Sequence, residues 1–90
     1  IDLGILLAVS SSFMNRPIPS DAIVLGEVGL AGEVRGVSRI ETRLKEAIHM
    51  GFAKCVLPKK NLKGISPLIQ SKIQLVGVDL VDQAIKEMLG

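Results

Sequence analysis

The sequence predicts an α/β (α+β) chain, two-layered, with helices packed on a small mixed sheet. Three observations carry this. Two short apolar-alternating runs, Val24 to Leu30 and Glu33 to Val37, flank Ala31-Gly32, with Gly26, Gly29 and Gly36 inside or beside them. Directly afterwards Ile40, Leu44, Ala47 and Ile48 recur at i, i+4, i+7 and i+8, which draws one apolar stripe down a helix. The short buried strand Lys54 to Leu57 then closes at Pro58, so that strand, helix and strand follow one another as in a crossover unit.

Residues 1 to 15 open the chain as a helix that is apolar nearly all round, with Leu3, Ile5, Leu6, Leu7, Ala8, Val9, Phe13 and Met14. A helix lacking a wide polar face is expected to be sandwiched within a core. Its abrupt start predicts that further residues precede it in a larger chain. Ser10-Ser11-Ser12 offer hydroxyls, but no partner stands at a motif spacing, so they read as small helical residues bonding back to the preceding turn. Asn15 to Asp21 is a turn region broken by Pro17 and Pro19. Arg16 within it either touches phosphate or a neighbouring subunit, or complements the dipole of a helix end.

Ala22 to Leu30 forms the first strand, and a tight turn joins it to the second because glycine accepts the positive φ of hairpin turns. Ser38 with Glu41 three residues later predicts a capping box. Gly51, just past His49 and Met50, is the expected left-handed stop. The Glu33 and Lys54 strands are then expected to lie parallel, joined by a right-handed crossover.

Lys59-Lys60-Asn61-Leu62-Lys63-Gly64 is the most basic loop, placed after a strand end where ligand-contacting loops are common. It reads either as a phosphate-touching patch or as an exposed, solubilising loop. Ser66 caps and Pro67 starts a short helix to Gln70. Ile73 to Val76 is a strand. Asp79 is the expected N-cap of a last helix, with Val81, Ala84, Ile85 and Met88 at i, i+3, i+4 and i+7.

Ninety residues allow one small domain, near the low end of sizes that bury an adequate core alone. An apolar fraction of 48% predicts faces that meet other parts of a larger protein or other subunits. With no tryptophan or tyrosine, and only Phe13 and Phe52, base stacking on an aromatic platform is a poor reading. The net charge of +2 permits a nucleic-acid partner without demanding one. One cysteine excludes an internal disulfide and a cysteine-rich zinc site, and Cys55 within Cys55-Val56-Leu57 reads as a buried, unreactive thiol.

Leu3 to Val9 is about one-third of the ~20 residues that cross a bilayer. It lacks a basic n-region, so no membrane partner and a cytoplasmic location are expected. His49 reads as a cation or donor near a helix C-terminus. Asp2, Glu27, Glu33 and Glu41 form no evident carboxylate pair, and no metal-binding constellation is seen. No Gly-x-x-x-x-Gly-Lys-Ser/Thr loop is present to bind ATP, so no cofactor is expected on this fragment itself.

Gly26-Glu27-Val28, then Leu30, Gly32, Val34 and a helix with basic residues in its first two turns, resembles the signature of the Lon protease proteolytic domain. The ending Val34-Arg35-Gly36-Val37-Ser38-Arg39-Ile40 is closer to the bacterial RadA (Sms) family of recombination ATPases, whose last domain is Lon-like. The similarity continues through Arg16-Pro17, Asp21, Gly51-Phe52 and Leu57-Pro58-Lys59-Lys60-Asn61, and so covers most of the chain. It implies that residues 1–90 are a single Lon protease-like domain lacking its N-terminal strands. It further implies a larger DNA repair protein with a zinc-binding segment and an ATPase using ATP and magnesium. That protein acts on branched or single-stranded DNA as a homo-oligomeric ring or hexamer. The candidate DNA-phosphate contacts are Arg16, Arg35, Arg39, Lys59, Lys60 and Lys63.

A Lon-type protease uses a serine nucleophile activated by a neutral lysine. The resemblance places that lysine at Arg43 and the serine immediately before residue 1, outside this chain. A guanidinium stays protonated and accepts no proton near neutral pH. The domain is therefore expected to be non-proteolytic, with Arg43 either covering the core by its stem or gripping a carboxylate or phosphate. The competing reading is a serine–lysine peptidase that uses Lys45; its other role would be an i,i+4 partner for Glu41. A third reading is a structural cap that touches neither DNA nor substrate.

Overall fold

The computed structural model describes all residues, Ile1–Gly90. Gly26 decides where the first strand ends. It is buried with φ +154°, and a Cβ there would lie 3.0 Å from Val34 Cγ1 and 3.2 Å from Leu3 Cδ2. The run expected as one strand over Ala22 to Leu30 is therefore split into β1 (Ala22–Val24) and β2 (Glu27–Val28), which belong to different sheets. As expected, β2 forms an antiparallel hairpin with β3 (Val34–Arg35), setting Glu27 opposite Arg35 and Val28 opposite Val34.

The main sheet is parallel, in the order β1, β4 (Lys54–Pro58), β5 (Gln74–Val78). This corrects the expected pairing of the Glu33 and Lys54 strands. Both edges of β4 are taken by β1 and β5, and the break at Gly26 carries β3 out of that sheet. β3 instead meets the chain leaving β5: Val34 N–H donates to Asp79 O at 2.7 Å, and Val81 N–H donates to Gly32 O at 2.9 Å.

Side chains of β4 alternate across the sheet, which builds one apolar cluster on each face. Val56 joins Leu3 and Leu7 of α1 (Leu3–Met14) and Ala84, Met88 and Leu89 of α4 (Val81–Leu89). Cys55 and Leu57 join Leu44 and Ala47 of α2 (Ile40–His49) and Ile69 of α3 (Pro67–Gln70). The α/β class holds, with helices on a small sheet; they divide between its two faces, so a third layer joins the two expected. Only one side of α1 is covered within these residues, because Ile1, Ile5, Val9 and Phe13 form an exposed row with Phe13 90% accessible.

Helix ends mix confirmations with corrections. Gly51 has φ +91° and donates to Ile48 O at 3.0 Å, which stops α2 as expected. Ser66 Oγ accepts from Ile69 N at 3.5 Å, with Pro67 in the first turn of α3. The Ser38/Glu41 capping box does not form: the N-cap of α2 is Arg39 at φ 55°, with no side-chain cap. Ser38 O accepts from Arg43 Nε at 3.0 Å, while the Glu41 carboxylate accepts from the distant Ser66 N at 2.9 Å. Nor does Asp79 cap α4. Leu80 is its N-cap, and Gln83 Oε1 reaches back to accept from Asp79 N at 2.7 Å and Leu80 N at 3.1 Å. The basic loop is itself a 3₁₀ helix, Lys59–Gly64.

Candidate functional site

Two basic segments meet in space. One is Arg35 to Arg39, which runs from β3 to the start of α2; the other is the 3₁₀ helix that leaves β4. Asn61 joins them: its Oδ1 accepts from Val37 N at 2.9 Å and its Nδ2 donates to Val37 O at 2.9 Å. A carboxamide carries the donor and the acceptor needed to satisfy both backbone groups of one residue, its N–H and its C=O. The 3₁₀ helix is seated in turn on β5, where a Cβ at Gly77 would lie 2.6 Å from Leu62 Cδ1 and 3.1 Å from Lys59 Cα.

Around this junction Arg35, Arg39, Lys59, Lys60 and Lys63 are all exposed. Two of them face carboxylates. Arg35 Nη2 lies 3.5 Å from Glu33 Oε2, and Lys59 Nζ lies 4.0 Å from Asp79 Oδ2. Glu33 is held below the usual carboxylate range by its own backbone N–H and by that of Ala31, with the Arg35 charge a smaller cause. Arg39, Lys60 and Lys63 make no ion pair.

Arg16 stands apart from this cluster. Its Nη1 donates to Leu89 O at 3.3 Å, so the cation complements the C-terminus of α4 and pins it to the end of α1. Arg43 is exposed and folds back onto Ser38 O. The start of the chain instead pairs with β2, Val28 N–H donating to Ile1 O at 2.8 Å and Leu3 N–H to Gly26 O at 2.9 Å, and no hydrogen bond or ion pair links α2 to it. Lys45 lines a groove of about 300 Å³ with Ile48, His49, Leu68, Ile69 and Lys72, on the α2–α3 surface.

Cys55 is buried, and burial pushes its thiol up to about 12, which leaves no useful thiolate at neutral pH. No group of three His, Cys, Asp or Glu side chains comes together to hold a metal ion. No helix is long and apolar enough to cross a membrane. Sequence reasoning placed Asn61 in a basic string and gave it no role. The available signal was an amide side chain inside a run of cations, on a segment that follows a buried strand.

Comparison with known proteins adds lineage to this geometry. The chain is 46% identical over 90 residues to DNA repair protein RadA of Halalkalibacterium halodurans, covering 100% of this chain and 19% of that protein. It is 44% identical over 88 residues to DNA repair protein RadA of Chlamydia pneumoniae, 98% of this chain and 19% of the relative. DNA repair protein RadA of Streptococcus pneumoniae is 39% identical over 88 residues, 98% of this chain and 20% of the relative. The chain thus spans about a fifth of the length of these curated relatives. Matched over residues 1–61, well over half its length, the chain belongs to the family described as "Subunit ChlI of Mg-chelatase".

Proposed function

We propose that this chain is the non-proteolytic, Lon protease-like C-terminal domain of a RadA-type DNA repair and recombination ATPase, serving ring assembly and DNA contact. The observation that carries this reading is the similarity to proteins named DNA repair protein RadA, which runs across the whole chain at 39% to 46% identity. Arg43 supports the non-proteolytic part, since a guanidinium at the lysine position has no lone pair to offer a serine proton. In this reading Arg35, Arg39, Lys59, Lys60 and Lys63 contact DNA phosphates, Arg16 adds a separate cationic point, and the apolar row on α1 packs against the rest of the assembly.

ATP, magnesium and zinc belong, in this reading, to other parts of the whole protein. These 90 residues carry neither a phosphate-binding glycine loop nor a ligand cluster for a metal. The whole protein works in the cytoplasm on branched or single-stranded DNA, as a homo-oligomeric ring.

The test compares the whole protein with its Lys59/Lys60/Lys63→Ala variant on duplex, branched and single-stranded DNA over a salt series. Each lost phosphate contact lowers the slope of log K against log salt by about 0.9 on duplex DNA, so a fall of up to about 2.7 is expected. An unchanged affinity and slope would remove the 3₁₀ helix as the contact. Incubation with an unfolded protein substrate is expected to give no cleavage; cleavage abolished by Lys45→Ala would restore the peptidase reading.

A further inference from the structure

The two basic segments come from separate parts of the chain, and one side chain makes the hydrogen bonds between them, across 24 positions of sequence. Asn61 presents to Val37 the same donor and acceptor pair that a neighbouring strand would, with both bonds at 2.9 Å and partly shielded from solvent. Val37 sits midway between Arg35 and Arg39, so fixing its peptide groups fixes the backbone from which both guanidinium groups project. Immediately beyond, Arg39 takes the left-handed conformation, φ 55° and ψ 43°, which turns the chain into α2 without a side-chain cap. A non-glycine residue holds that conformation only where its surroundings compensate.

The other end of the clamp is equally anchored. Asn61 lies between Lys60 and Leu62 in the 3₁₀ helix, and Leu62 packs against Gly77 of β5. The facing charges grade across the junction. Glu33 and Asp79 partly offset Arg35 and Lys59, whereas Arg39, Lys60 and Lys63 have no carboxylate partner. The Asn61–Val37 bonds thus bring together two segments that each carry exposed cations.

We propose that Asn61 is a positioning residue that makes one phosphate-binding surface out of the Arg35–Arg39 segment and the 3₁₀ helix Lys59–Gly64. The inference rests on the DNA-contact reading above and adds to it the residue on which the surface depends. Asn61 touches no phosphate itself. Leucine at position 61 keeps the side-chain size and removes both bonds. Aspartate keeps the acceptor for Val37 N but sets a carboxylate against Val37 O.

The experiment uses the whole protein and a duplex DNA probe over a salt series, with Asn61→Leu, Asn61→Asp, Arg35→Ala/Arg39→Ala and the combination of Asn61→Leu with the arginine pair. Asn61→Leu is expected to lower the salt slope by about 1.8, as loss of the two arginine contacts would. The combined variant is expected to lose nothing further. Hydrogen exchange of the peptide containing Val37 should quicken while the melting transition is retained. If Asn61→Leu fails to fold, Asn61→Asp serves in its place with the same expectation. A folded position-61 variant that keeps the wild-type slope, or additive loss in the combination, overturns the inference and leaves the DNA reading standing. No wild-type affinity for DNA at any salt overturns both.

Discussion

Glu41 accepts the backbone N–H of Ser66 at 2.9 Å across 25 positions of sequence, tying the first turn of α2 to the start of α3. The bond from Ser66 holds the Glu41 carboxyl below its ordinary value of 4.5, with attraction to Lys45 a smaller cause. A carboxylate with a lowered folded pKa stabilises the fold above its unfolded pKa, and that contribution is lost as pH falls through the folded value. The denaturation midpoint of wild type should therefore exceed that of Glu41→Gln at pH 7, and the gap should narrow as the pH falls below the ordinary carboxylate value of 4.5. A gap independent of pH would show that the charge is not involved.

Leu44 is fully buried against the Cys55 and Leu57 face of β4. Leu44→Ala leaves a cavity in that cluster and should cost about 2–5 kcal/mol in urea unfolding. The exposed His49 one turn on serves as control: His49→Gln should move the midpoint little.

At Gly26 a methyl group would press on Val34 and Leu3, and the backbone holds φ +154°, which L-residues rarely adopt. Gly26→Ala should destabilise by about 1–3 kcal/mol, from strain together with contact against Val34 and Leu3. Gly64, where an added Cβ meets open space, should accept alanine with little change in the same measurement.

Burial that pushes Cys55 up to about 12 also shields it. A disulfide reagent at pH 8 should find essentially no reactive thiol in the folded chain and one per chain in denaturant. The labelling rate should thus track the rate of opening, and prompt labelling of the native chain would contradict the burial.

Much of this fold was legible because its signals are local. The α2 stripe from Ile40 to Ile48, the Gly51 stop and the Ser66-Pro67 start depend on neighbours within a turn or two, and each appears where expected. The errors have one physical source, a side chain or strand finding a distant partner. Ser38 and Glu41 carry capping-box chemistry, yet Glu41 is drawn to Ser66 and Ser38 O is taken by Arg43. The partner of β4 is not legible because no local signal shows that the run around Gly26, crowded by Leu3 and Val34, divides between two sheets. The cations of the candidate site could be picked out singly. Their grouping could not, because it passes through Asn61, whose bonds to Val37 span 24 positions.

The alternation along Lys54–Pro58 has a thermodynamic consequence. Val56 is embedded on one side of that strand and Cys55 and Leu57 on the other, and with β1 and β5 beside it the strand is the centre of the party wall between two apolar rooms. Neither room can empty while the other stays furnished, and the halves of the molecule are bound to melt together as one cooperative unit.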